Sequence, residues 1–216
     1  MPNWLVAPDL DQSPDYLLLC GDQPFIEASL LLHSYRKGAQ VTIAYLSETG
    51  ENLESILDIS HHKSIILTQS ILYRLCSLSL MEQIQATNWV CVGRSPLTYS
   101  VSEAFKANQP DSHLQVVTLD RAGFPLLIWD NFQDEISFNE VIFGRPFAGQ
   151  QTLLVNQYNQ IASLGVSADL YRYNYESSDV YSRKILVNNQ ALYYSKSAEL
   201  SCIGQNSDGI VIGLST

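Results

Sequence analysis

The sequence is short of positive charge and of long apolar runs. Its 216 residues include 12 Lys and Arg against 22 Asp and Glu, which gives a formal net charge of −10 at pH 7. Nucleic acids and anionic membranes attract basic surfaces, so this balance argues against both as partners. No apolar run reaches the roughly 18 residues that a membrane-spanning helix needs, and the first ten residues lack the pattern of a signal peptide. We therefore expect a cytoplasmic protein with neither nucleic acid nor membrane as a partner.

Familiar catalytic and metal-binding patterns are also missing. The four cysteines are far apart inside apolar runs, whereas zinc ligands come in pairs about two to four residues apart, so we expect reduced thiols and no metal site. Cys20 at the end of an apolar run is a candidate nucleophile, but a cysteine in such a run is usually inert. The sequence has no His-Glu-x-x-His, Walker or Gly-x-Gly-x-x-Gly motif and no Gly-x-Ser-x-Gly elbow, so we predict no cofactor and name no reaction.

The first half of the chain alternates between short apolar runs and amphipathic segments. Strand-like runs are found at 16–20, 41–46, 64–68, 89–92 and 114–119, with helical patterns between them. This alternation is typical of βαβ units and predicts an α/β fold with a mainly parallel, Rossmann-like sheet over residues 14–120, after an N-terminal tail at 1–13.

The second half has a different pattern of apolar and turn residues. Residues 121–216 favour an antiparallel, hairpin-rich α+β domain that we expect to pack tightly on the first. Val141 and Phe143 break the alternation of their strand and predict a bulge. Asn188-Asn189 favours a tight turn between two strands. Apolar residues at helical spacing, from Leu154 to Ala162, predict a helix over 151–164.

Loops at the carboxyl ends of parallel strands commonly form ligand sites, because the helix N-termini converge there. The loops after the first, third and fourth strands supply a candidate ligand-binding set, which consists of Gly21, Asp22, Gln69, Ser70, Gly93, Arg94 and Ser95. Asp22 is equally well interpreted as a helix N-cap.

The loop after the fourth strand has the best composition for an anion. Gly93 permits a close backbone approach, Arg94 offers a fork of donors, and Ser95 followed by Pro96 predicts the start of a helix with free N–H groups. These groups suit a phosphate or a carboxylate. The alternative is an ordinary strand-to-helix turn with a solvated Arg94.

Tyrosines form a second candidate site. Tyr171, Tyr173 and Tyr175 alternate along one strand, so their rings share a face. Tyrosine is common at protein interfaces, which makes this face a candidate surface for a protein partner or a second copy of the chain. Alternatively, tyrosine is simply favoured in strands.

The stretch from Ile66 to Phe105, with Leu-Thr-Gln-Ser at 67–70 and Val-Gly-Arg-Ser at 92–95, resembles the paired βα units of uroporphyrinogen-III synthases. The hairpin-rich second half departs from the two similar α/β lobes of that family. We therefore do not transfer its activity to this chain.

Three functions remain after these exclusions. The first is a non-catalytic interaction or assembly module, favoured by the missing catalytic motifs, the tyrosine face and the strand edges open to pairing. The alternative is an enzyme or sensor that binds a small anionic ligand at the carboxyl ends of the parallel strands. The third is a structural subunit of a larger assembly.

Overall fold

The computed structural model divides the chain into two compact units. The first unit comprises residues 1–95, 100–117 and 130–135, and the second comprises 96–99, 118–129 and 136–216. Within them the structure describes residues 15–21, 23–36, 38, 40–59, 64–94, 97–119, 125–131, 140–146, 152–158, 160–163, 168–173, 182–187, 190–202, 204–205 and 211–214. Across these residues, none of the helices has the length and apolar character needed to cross a membrane.

The strands and helices follow one another in the order that the periodicity predicts for the first 120 residues. The strands are β1 (Asp15–Cys20), β2 (Gln40–Tyr45), β3 (Ser64–Thr68), β4 (Asn88–Gly93), β5 (Leu97–Thr98), β6 (His113–Leu119), β7 (Pro125–Asp130), β8 (Glu140–Pro146), β9 (Thr152–Val155), β10 (Ala168–Tyr173), β11 (Ser182–Val187), β12 (Gln190–Cys202), β13 (Gly204–Gln205) and β14 (Val211–Leu214). The helices are α1 (Pro24–Arg36), α2 (Leu53–Ile59), α3 (Gln69–Ser77) and α4 (Tyr99–Asn108), with a 3-10 turn at Met81–Gln83.

The first unit has a doubly wound topology. Its strands lie in the order β6-β4-β3-β1-β2, and β1 pairs in parallel with β2 and β3, as β3 does with β4. The chain therefore moves outward from β1 to β2, crosses back over β1 to β3, and continues in the other direction. Since ligands of such sheets bind where the winding reverses, the crevice between the ends of β1 and β3 is the expected site.

Local sequence explains why these elements form where they do. β1 is buried on both faces, as its continuous apolar run predicts. α1 begins at Pro24, which needs no N–H partner in the first turn, and Gly38 follows the helix with a positive φ of 73° that favours glycine. Trp89 of β4 and Phe105 of α4 pack edge to face, with ring centroids 5.5 Å apart, and fix that helix against the sheet.

The second unit is antiparallel. One set of strands has the order β13-β14-β8-β7, with β5 paired to β8, and a separate four-stranded sheet has the order β11-β12-β10-β9. β11 and β12 form the expected hairpin with Val187 opposite Gln190, and Leu127, Leu154, Ala168 and Leu170 form a small core. The predicted fold class, a mainly parallel α/β first half and an antiparallel second half, is confirmed.

Gly144 marks the irregularity that the alternation predicts in β8. The register between β14 and β8 shifts there, from Val211 opposite Gly144 to Ile212 opposite Ile142. Gly144 has a φ of 102°, and a Cβ added to it would overlap the carbonyl oxygen of Ile128. Only glycine fits this bend without strain.

Two local predictions are wrong. Residues 152–155 form strand β9 and not a helix, because their backbone pairs with β10 and the Asn156 side chain then accepts from the N–H groups of Tyr158 and Gln160 to build a tight turn. The helix expected to start at Ser95-Pro96 begins at Tyr99, since Leu97 and Thr98 pair with β8 first. In both places strand pairing overrides the local signal.

Candidate functional site

The parallel registers bring three predicted loop residues to one level of the first unit's sheet. Leu19 of β1 lies beside Leu67 of β3, which lies beside Cys91 of β4. Gly21, Gln69 and Gly93 each follow two residues later, so they line the same carboxyl rim. Because neighbouring strands are about 4.8 Å apart, Gly21 and Gly93 are separated by roughly 10 Å along this rim. Asp22 and Ser95 lie outside the described residues.

The loop after β1 is built around the Glu27 carboxylate. Its Oε1 accepts hydrogen bonds from the backbone N–H of Gly21 at 2.8 Å and of Gln23 at 3.3 Å. Glu27 lies in the first turn of α1 and reaches back to the loop before the helix, where it satisfies the amides of Gly21 and Gln23. The chain therefore supplies its own anion at this helix N-terminus.

A polar bridge spans the crevice between β1 and β3. Gln23 donates from Nε2 to the hydroxyl oxygen of Ser70 at 3.3 Å, and this hydroxyl lies 2.8 Å from the hydroxyl of Thr68. Both loops are partly exposed at this point. The bridge holds the ends of β1 and β3 together at the switch in winding and lines the crevice with hydroxyl and amide groups.

The rim beyond β3 is formed by Gln69, Gly93 and Arg94. Gln69 is buried, with 4% of its surface exposed, and its side chain covers Gly93 so closely that a Cβ added there would overlap it. Gly93 is thus required for close packing against Gln69. Arg94, one residue past the end of β4, is exposed to solvent.

Arg74 and Asn52 also shape the rim, although the sequence did not single them out. Arg74 of α3 donates from one Nη to the carbonyl oxygens of Leu46 at 3.3 Å and Ser47 at 3.5 Å. Asn52 accepts from the N–H of Ser47 at 2.9 Å and donates to the carbonyl of Tyr45 at 2.7 Å. These bonds fix the end of β2. They depend on contacts distant in sequence and carry no local signal.

Cys20 faces the same carboxylate. Burial, together with the negative charge of Glu27 and a hydrogen bond to it, raises the pKa of the Cys20 thiol to about 11. A thiolate is the nucleophilic form of cysteine, so the raised pKa makes Cys20 a weak nucleophile at neutral pH. Among the residues that the structure describes, no three His, Cys, Asp or Glu side chains are grouped to hold a metal ion.

The predicted tyrosine face lies in the second unit. Tyr171 is buried, with 1% of its surface exposed, on a strand that is paired on both sides by β9 and β12. Tyr173 lies at the end of β10, and Tyr175 is outside the described residues. The ring of Tyr171 therefore presents no surface to a partner.

Comparison with known proteins identifies relatives in fold only. No protein-family model matches the sequence, and no curated protein matches it. Among solved structures, the N-terminal subdomain of NpsA from Klebsiella oxytoca, in complex with 3-hydroxybenzoyl-AMSN, is 13% identical, with a TM-score of 0.69 over 95% of this chain and 55% of that one.

Two further structures agree with this match. CmiS6 is 9% identical, with a TM-score of 0.71 over 92% of this chain and 52% of that chain. Holo-PA1221, an NRPS protein containing adenylation and PCP domains bound to a vinylsulfonamide inhibitor, is 14% identical, with a TM-score of 0.71 over 92% of this chain and 36% of that one. The chain thus spans about half or less of the length of these proteins.

These likenesses overturn the first functional prediction. We expected a non-catalytic interaction or assembly module, but two of the similar structures contain adenylation domains, and several hold small molecules. The prediction depended on missing motifs and on the tyrosine face, whose Tyr171 ring is buried. The alternative, an enzyme or sensor with a small ligand, agrees better with the findings. The chain shares the fold of the N-terminal subdomain of NpsA.

Proposed function

We propose that this chain is the ligand-binding domain of an adenylation-type enzyme, with its site at the carboxyl rim of the first unit. Its ligand is a small anionic molecule of the acyl-adenylate class, and we expect it to act in the cytoplasm. The observation that carries this proposal is the coincidence of two facts. The fold matches a subdomain solved with an acyl conjugate, and Gly21, Ser70 and Gly93 follow strands that end on one rim at the switch in winding.

The chemistry of the rim supports a ligand with polar and anionic parts. Gln23 and Ser70 offer amide and hydroxyl groups in the crevice, and Arg94 offers an exposed guanidinium past the end of β4. Guanidinium groups bind phosphate and carboxylate with paired, charge-assisted hydrogen bonds. We therefore assign Arg94 to the anionic group of the ligand, and Gly21, Gln69, Ser70 and Gly93 to the walls of the site.

Binding of 3-hydroxybenzoyl-AMSN, measured by titration calorimetry, tests the proposal. We expect the chain to bind it and the Arg94→Ala variant to bind it about tenfold or more weakly, because a charge-assisted hydrogen bond is lost. Lys106→Ala is the matched control, since this cation at the far end of α4 pairs with Glu103 at 3.8 Å and lies off the rim. Absence of heat at about 1 mM ligand, far above a specific affinity, contradicts the proposal.

A further inference from the structure

The Glu27 carboxylate occupies the position at which the loop after β1 would hold an anion. The backbone N–H groups of Gly21 and Gln23 already donate to its Oε1. We propose that Glu27 makes the β1 end of the rim a subsite that excludes anions and accepts a hydrogen bond from a hydroxyl group of the ligand. This inference rests on the proposed function, and it places the anionic group of the ligand at the opposite end, beside Arg94.

Repulsion explains the exclusion. An anion that reached the amides of Gly21 and Gln23 would lie within hydrogen-bond distance of a like charge, with little water between them to screen the repulsion. The nearest described cation is Arg74, whose Nη1 lies 3.6 Å from the position of a Cβ on Gly21. However, that nitrogen donates to the carbonyl oxygens of Leu46 and Ser47, so it is directed at the end of β2.

Acceptor chemistry explains the preference for a donor. A carboxylate has two oxygens with about four acceptor positions, of which the two backbone amides use positions on Oε1 and the Cys20 thiol uses one more. Glu27 is partly exposed at the rim. A hydroxyl group of the ligand can donate to a remaining position, as a fully ionised phosphate cannot. The roughly 10 Å between Gly21 and Gly93 gives an acyl-adenylate room to place a hydroxyl at one end and its anion at the other.

Affinities for adenosine and for AMP, measured by calorimetry on the full chain, test this division. Glu27→Gln keeps an oxygen acceptor for the two amides and removes the charge that strengthens the hydrogen bond from the ligand's hydroxyl, so we expect adenosine and AMP both to bind about threefold more weakly. Glu27→Asp keeps the charge and should retain the wild-type affinities. Glu54→Gln, which removes an exposed carboxylate in the first turn of α2, is the matched control. Equal affinities in wild type and Glu27→Gln overturn the inference.

Alkylation of Cys20 tests the same inference without a nucleotide. Cys20 adjoins Glu27, so an anion seated on the Gly21 and Gln23 amides would shield its thiol from iodoacetamide. Inorganic phosphate should slow labelling of Cys20 at least threefold in Glu27→Gln and leave the wild type unchanged, relative to chloride at equal ionic strength. Labelling of Cys76, read from its own peptide, is the internal control.

The outcomes separate the two proposals. If the wild type binds neither adenosine, AMP nor 3-hydroxybenzoyl-AMSN, the proposed function fails, and the phosphate effect on Cys20 still decides the role of Glu27. If phosphate protects Cys20 equally in wild type and Glu27→Gln, or protects neither, the anion-excluding role of Glu27 is refuted.

Discussion

Polar side chains are buried at the amino ends of β4 and β6, whereas several on the carboxyl rim of the same sheet are exposed. At the amino ends of β4 and β6, Gln109 and Ser112 are buried, with 8% and 6% of their surfaces exposed. Gln109 donates to the carbonyls of Met81 at 2.7 Å and Ile84 at 2.8 Å, and Ser112 donates to that of Ala86 at 2.6 Å. At the carboxyl rim, Gln23, Glu27 and Ser70 are partly exposed and Arg94 is exposed.

The buried side chains should therefore affect stability, and the exposed ones should affect ligand binding. Buried side chains that satisfy backbone carbonyls hold loops in place, and their loss leaves buried polar atoms without partners. Exposed groups on the rim contribute little to stability and are accessible to a ligand. Variants at the amino ends should therefore change the free energy of unfolding, whereas Arg94 variants should change affinity.

Gln109→Ala should destabilise the protein most. It removes two hydrogen bonds to buried carbonyls, and we expect the free energy of unfolding to fall by about 3 kcal/mol. Urea unfolding followed by circular dichroism measures this loss. Gln85→Ala, which changes an exposed glutamine of the loop that Gln109 bonds to, is the control and should cost less than about 0.5 kcal/mol. A similar cost for both variants would remove the distinction between the two ends.

Gly93→Ala should have an intermediate effect. The new Cβ overlaps the Gln69 side chain, and we expect a loss of about 2 kcal/mol in urea unfolding, typical of overpacking. Adding Gln69→Ala to this variant removes the overlapping side chain. The double variant should then lose less free energy of unfolding than the two single variants together, by at least about 0.5 kcal/mol, the lower limit typical of coupled neighbours. Additive losses would show that Gln69 does not cover Gly93.

The first unit's strands were accessible to sequence reasoning because each is a short apolar run, and all but β2 are largely buried. Their shared rim followed from the alternation with helices, and Gly21, Ser70 and Gly93 were selected as candidates in this way. The fold class was likewise predictable. Strand β9 was not predictable in the same way, because apolar residues four apart fit both a helix and a strand followed by a tight turn. Only the pairing with β10 distinguishes the two structures.

Other parts of the candidate site had no local signal. Glu27 was recognised only as an acidic residue in the first helical turn, where it suits the helix dipole. Its bonds to Gly21 and Gln23 depend on how the loop turns back over the helix. The contacts of Arg74 with the end of β2 join residues 27 and 28 positions apart, which periodicity does not reveal.

The smallest predicted effect concerns the pH dependence of stability. The pKa of Cys20 is raised from 9.0 to about 11 in the folded protein, so its stabilising contribution is present below pH 9 and is lost as the pH rises through 11. Because the thiol is partly exposed, screening limits the effect to about 1 kcal/mol or less. Cys20→Ser should therefore reduce the loss of thermal stability between pH 8 and pH 10.5. An unchanged pH profile would contradict the raised pKa of Cys20 in the folded protein.

Chemical shift mapping of the backbone amides during titration with 3-hydroxybenzoyl-AMSN tests the binding site most directly. If the ligand binds at the carboxyl rim, we expect saturable shifts at Gly21, Ser70, Gly93 and Arg94, and no shifts at Gln109 and Ser112. Shifts that cluster at the amino ends of the strands or in the second unit, or a spectrum unchanged at saturating ligand, would contradict it.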